Sequence, residues 1–115
     1  MSYSFVKTLN LRPDGKTSLR DFFAAKKPQN QQEQMAVVVY YLTKILEATN
    51  VGPNHLYTSL KDVEVPVPAD IGQIVRNTAA RKNWIDSSNG DDLKVTVSGE
   101  NFVEHDLPSK GVSKG

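Results

Sequence analysis

Pro68-Ala69-Asp70-Ile71-Gly72-Gln73-Ile74-Val75-Arg76-Asn77-Thr78-Ala79-Ala80-Arg81-Lys82 is the segment on which the architecture turns. At about 100° per residue, Ile71, Ile74, Val75 and Thr78 fall on one side of a helix, and Ala69, Gln73, Arg76, Asn77 and Ala80 on the other. Proline suits a first helical position because it has no N–H to leave unpaired, so the pattern predicts a helix over residues 68–82 that starts at Pro68. Asn83 then suits a left-handed helix end. One side of this helix belongs to a core. The other is polar, with Arg76 at its centre and Arg81 and Lys82 at its end.

Toward the C-terminus, Trp84-Ile85-Asp86 and Leu93-Lys94-Val95 are short β-prone runs, and the Asn89-Gly90 pair between them signals a hairpin. Trp84 is expected to plug the junction between helix and hairpin. Thr96 is placed to cap a last helix carrying Gly99, Phe102 and Val103, which ends before Pro108.

Toward the N-terminus, Glu64-Val65-Pro66-Val67-Pro68 cannot be helical, because each proline disfavours helical geometry in the residue before it. Asn54 is read as the cap of a short helix with Leu56, Tyr57 and Leu60 turned inward, running to about Val63. Before it, Met35, Val38, Val39, Leu42, Ile45 and Leu46 recur at amphipathic-helix spacing behind the cap signal Asn30-x-x-Glu33. That helix is expected to end at Asn50-Val51-Gly52-Pro53, with the glycine as a left-handed cap. Ser18 with Asp21 marks the start of a first short helix bearing Leu19, Phe22 and Phe23, stopped by Pro28. The chain thus divides into a partly flexible arm over 1–17, a domain over 18–107 and a disordered tail over 108–115.

At 115 residues there is room for one core. The fold class expected is mainly α with a small β-hairpin (α+β). Formal net charge is +1, so any attraction to nucleic acid must come from a local patch rather than an overall field. Cysteine is absent, which removes disulfides, thiolate metal sites and cysteine nucleophiles together. Residues 1–16 lack an apolar stretch of signal-peptide length, and no window resembles a membrane span, so a soluble cytoplasmic protein without membrane association is expected.

The order helix, helix, turn, helix, hairpin, helix resembles the winged helix-turn-helix superfamily. Two local matches carry the resemblance. Residues 74–85 look like that family's basic helix end, turn residue and apolar first wing strand, and Thr96-x-x-Gly99-x-x-Phe102 is similar to the run leaving the second wing strand in many bacterial winged-helix regulators. The resemblance implies a DNA-binding module of the kind used in transcriptional regulation, with the helix 68–82 entering a major groove. Gln73, Arg76, Asn77 and Ala80 would face base edges, where arginine pairs with guanine and asparagine or glutamine with adenine. Lys61, Arg81 and Lys82 would contact phosphate. The acidic wing, with Asp86, Asp91 and Asp92, departs from the family's basic wing and weighs against wing contact with DNA. The alternative is a protein-interaction or scaffolding module, or a homodimer, with the same fold and no DNA binding. Phe22 and Phe23 at the edge of a small domain favour it.

Other chemistry has little support. No glycine-rich phosphate loop, nucleophile elbow or paired-histidine zinc motif occurs, so no enzyme, cofactor or small-molecule substrate is expected. Glu104, His105 and Asp106 are neighbours that point in different directions from a helix, which argues against a metal site. Tyr40, Tyr41, Tyr57 and Trp84 have the spacing of core residues rather than of a base-stacking platform.

Overall fold

A computed structural model describes residues 3–108, and the expected disordered tail lies outside these apart from Pro108. The chain is mainly helical with one small antiparallel sheet. The elements run α1 (Leu19–Lys26), α2 (Gln31–Tyr40), α3 (Pro53–Asp62), α4 (Ile71–Lys82), β1 (Ile85–Asp86), β2 (Lys94–Val95) and α5 (Val97–Asn101).

Helix α2 is the axis of the fold. Met35, Ala36, Val37, Val38 and Val39 are all fully buried. A helix apolar on every side must be surrounded, and α1, α3, α4, α5 and β2 all pack on this one. Asn30 caps it as expected, its Oδ1 accepting the Glu33 N–H at 2.9 Å. The helix does not continue unbroken to Leu46. Tyr41–Ile45 form a π-helical turn in which the Leu46 N–H reaches back to the Tyr41 carbonyl at 3.0 Å. The Thr43 hydroxyl donates to the Val39 carbonyl at 2.7 Å, a bond of the kind that bends a helix.

The α2–α3 connection also departs from expectation. Glu47 and Asn50 take the left-handed conformations, while Gly52 is extended at φ −132°. Gly52, not Asn54, is the N-cap residue of α3, and Pro53 occupies the first helical position. The Gly52 N–H donates to Nδ1 of His55 at 3.1 Å.

Helix α4 starts at Ile71, three residues beyond the expected Pro68. Asp70 is the N-cap, its Oδ1 accepting the Gln73 N–H at 3.0 Å. A carboxylate there satisfies an otherwise orphaned donor and opposes the helix dipole, and Pro68 offers neither. The remainder follows expectation: Ile71, Val75 and Thr78 are buried, Ile74 is half-buried, and Asn83 ends the helix in the left-handed region at φ 57°.

In the hairpin, Ile85 is opposite Val95 and Asp86 opposite Lys94. The Asn89-Gly90 pair does not form the mirror-image turn that such pairs favour, since neither residue has positive φ. Asx turns shape the loop instead. Asp86 Oδ1 accepts from the Ser88 N–H at 3.0 Å, Asn89 Oδ1 accepts from the Asp91 N–H at 3.0 Å, and the Asp92 N–H bonds the Asn89 carbonyl at 3.0 Å. A further backbone bond, Leu93 N–H to the Val51 carbonyl at 2.9 Å, ties the hairpin to the α2–α3 connection.

The hairpin's exit is held by Thr96. Its N–H donates to the Trp84 carbonyl at 3.0 Å, and its hydroxyl donates to the Asn83 carbonyl at 2.5 Å while accepting the Gly99 N–H at 2.9 Å. Gly99 lies so close to Trp84 that a Cβ there would collide with the Trp84 backbone carbonyl. Trp84, between α4 and β1, is partly buried and packs against the core, and its ring stacks on Phe102 at 3.8 Å in the π-helical turn Phe102–Asp106 that extends α5. Tyr40 ties α2 to the same turn by donating to Glu104 at 2.6 Å, and burial together with that carboxylate pushes its hydroxyl up to about 12.

Residues 3–12 lie across α3 rather than away from it, and Lys16 and Thr17 bond Ile45 and Tyr41 of the turn after α2. Tyr3 stacks on Tyr57, the Ser4 N–H donates to Asn54 Oδ1 at 3.0 Å, and the Val6 N–H donates to the Thr58 hydroxyl at 2.9 Å. Leu11 enters the core, and its carbonyl accepts the Leu19 N–H at 2.9 Å.

Candidate nucleic-acid interface

The outer face of α4 is built by the same periodicity that buries its inner face. Gln73, Arg76 and Ala80 are exposed and Asn77 is half-buried. Three of them form a chain: Gln73 Nε2 donates to Asn77 Oδ1 at 3.0 Å, and Arg76 donates to Gln73 Oε1 at 3.3 Å. These bonds are exposed, so breaking them to face a ligand costs little compared with a buried network. They hold three amide and guanidinium groups in one row along the helix.

Arg76 lies back along α4 toward its first turn. A Cβ placed on Gly72 would stand 3.1 Å from Nη1 of Arg76, so the guanidinium lies over that glycine. The groove around it, about 510 Å³, is lined by Tyr3, Pro53, Asn54, Asp70, Gly72, Arg76 and Asp91. Its charged members are one cation and two carboxylates. The Tyr3 hydroxyl closes one side, donating to the Ala69 carbonyl at 3.2 Å and accepting the Ile71 N–H at 3.0 Å.

The far end of α4 has the opposite character. Arg81 and Lys82 are exposed, and the Lys82 ammonium sits 5.6 Å from the Trp84 ring centroid. The cation–π contact steadies the charge without neutralising it. Positive charge therefore gathers at the C-terminal end of α4 and is diluted at its N-terminal end. In the hairpin, Lys94 pairs with Asp92 at 3.1 Å. Hydrogen bonds from the Ser88 N–H and hydroxyl hold the Asp86 carboxyl below its ordinary range, so the hairpin stays acidic.

Gln73, Arg76, Asn77, Ala80, Arg81 and Lys82 thus share one helix, while Lys61 does not join them. It lines a separate groove with Arg12 and Arg20, under the N-terminal arm. Spacing along one helix located the first group. The neighbours of Lys61, Arg12 and Arg20, come from segments remote in sequence, which spacing along one helix does not encode. The parts of the site that sequence reasoning missed are Tyr3 and Asp70. Asp70-x-x-Gln73 was a signal for the helix start, masked by the prolines ahead of it.

No three or more His, Asp or Glu side chains among the described residues are grouped to hold a metal ion. No helix among them is long and apolar enough to cross a membrane. Comparison of the chain with protein-family models, with curated proteins and with solved structures gives no match.

Proposed function

We propose that the chain is a non-catalytic winged-helix DNA-binding module in which α4 is the helix that enters the major groove. Gln73, Arg76 and Asn77 supply hydrogen bonds to base edges, Ala80 leaves room for close approach, and Arg81 and Lys82 contact phosphate. The observation that carries this reading is the row of linked Gln73, Arg76 and Asn77 side chains on the outer side of α4, beside a basic helix end. The α3–α4 pair and the hairpin that follows α4 support the winged-helix interpretation.

One observation favours a second reading. Asp70 and Asp91 line the groove that holds Arg76, an arrangement better matched to a carboxylate-tolerant protein surface than to a polyanion. The same helix would then dock a protein partner or a second copy of the chain.

A titration of random-sequence and selected duplexes at low salt, read by fluorescence anisotropy, separates the two. Under the DNA reading, Arg76→Ala weakens the best complex by about 1–3 kcal/mol without lowering thermal stability. Arg81→Ala weakens all duplexes alike and makes binding less sensitive to salt. A chain that binds no duplex at low salt overturns the DNA reading and leaves α4 as a protein-docking helix.

A further inference from the structure

The groove under the N-terminal arm has no part in the α4 surface, and its chemistry is different. It holds about 520 Å³ where the arm crosses α3, within the usual range for small-molecule sites. Arg12, Arg20 and Lys61 face it, against a single carboxylate, Asp62. Arg20 is oriented by its Nε–H bond to the Asp62 carbonyl at 3.1 Å and by a loose pair with Glu64 at 3.5 Å. The Arg12 guanidinium and the Lys61 ammonium make no hydrogen bond or ion pair among the described residues. Two unpaired cations beside an oriented guanidinium form a receptor for an anion.

The rest of the lining describes what the anion is attached to. Phe5 is 55% exposed, the most exposed ring among the large hydrophobic residues, and touches Tyr57 in a tilted contact at 5.2 Å. Leu9 and Leu11 supply an apolar wall.

We propose that this groove binds a small aromatic anion with the size and chemistry of a nucleoside monophosphate. The phosphate lies among Arg12, Arg20 and Lys61, and the ring stacks on Phe5. The site is separate from the groove that holds Arg76, so its test does not depend on what α4 binds.

Adenosine 5′-monophosphate, adenosine and inorganic phosphate, titrated separately into the full chain at low salt and followed by amide chemical shifts, provide that test. The nucleotide is expected to shift amides over 5–12 and 58–62 saturably, with a dissociation constant of roughly 1 mM or tighter. Adenosine and phosphate alone should each bind at least about tenfold more weakly, and the double variant Arg12→Ala/Lys61→Ala should weaken nucleotide binding by at least about tenfold. Both cations are exposed, so the variant spectrum should match the parent outside the groove, and Arg12→Gln/Lys61→Gln is the companion that keeps side-chain length. The proposal is overturned if no nucleotide shifts saturate there, if phosphate alone binds as tightly as the nucleotide, or if both double variants bind undiminished.

Discussion

The two ends of α4 are held by different means. At its C-terminal end the chain is locked by close approach: Gly99 lies against the Trp84 backbone, Thr96 bonds Asn83, Trp84 and Gly99, and Trp84 stacks on Phe102. At its N-terminal end, the Asp70 cap and the Tyr3 hydroxyl of a distant arm hold the first turn. The locked end carries Arg81 and Lys82, and the lightly held end carries Asp70 beside Arg76. Close-packed backbone thus coincides with uncompensated positive charge, and backbone held by side-chain hydrogen bonds with the side chains proposed to discriminate between bases.

The sharpest way to break that contrast is Gly99→Ala. The added methyl meets backbone rather than a side chain that can rotate away, so the loss should reach or exceed about 3 kcal/mol, the upper range for overpacking. A urea melt reads it directly, and a loss below about 1 kcal/mol would show that the C-terminal end yields. Tyr3→Phe should cost less, about 1 kcal/mol for a hydrogen-bonded hydroxyl, because the ring can keep its stacking on Tyr57. Hydrogen exchange should then quicken at Ile71 and its neighbours while Asn83, Leu93 and Thr96, whose N–H groups are bonded at the other end, are unchanged. A cost equal to that of Gly99→Ala would erase the difference between the ends.

The smallest expected effect belongs to His55, at the start of α3 beside the lightly held end. Burial lowers its pKa from 6.5, and the neutral ring is the form whose Nδ1 can accept the Gly52 N–H. The unfolded chain therefore binds more protons than the folded one between the two values. The stability this contributes is complete above the unfolded value and is lost as pH falls from there through the lowered folded value. Stability measured from pH 7.5 to 5 should decline more in the parent than in His55→Asn, which keeps a capping acceptor but does not titrate. Parallel profiles would show that His55 contributes nothing to the pH dependence.

These features were unequally legible in the sequence. Asn30, Ser18, Thr96 and Asn83 perform the capping and terminating roles expected of them, because each acts on residues within a few positions and its side chain makes the bond itself. The inner face of α4 was legible for the same reason, since periodicity is local. At the start of α4 two local signals compete, and Asp70, which satisfies a backbone donor, prevails over Pro68, which only avoids leaving one. Asn89-Gly90 misled because a longer loop gave nearby side chains their own turns to form. The π-helical turn after α2 had no signature, since its bonds skip a residue without altering the apolar pattern. Tyr3 on Ile71, Leu93 on Val51 and the gathering of Lys61 with Arg12 depend on segments far apart, which no local pattern encodes.

The bond between Leu93 and Val51, with that from the Asn50 N–H to Asp92 Oδ1 at 3.3 Å, pins the loop end of the hairpin to the α2–α3 connection, and Asp91 of that loop forms part of the wall around Arg76. Extra residues spliced between Ser88 and Gly90 would therefore reshape that wall as well as lengthen the projection. A fluorophore grafted there would report on whatever enters beside Arg76.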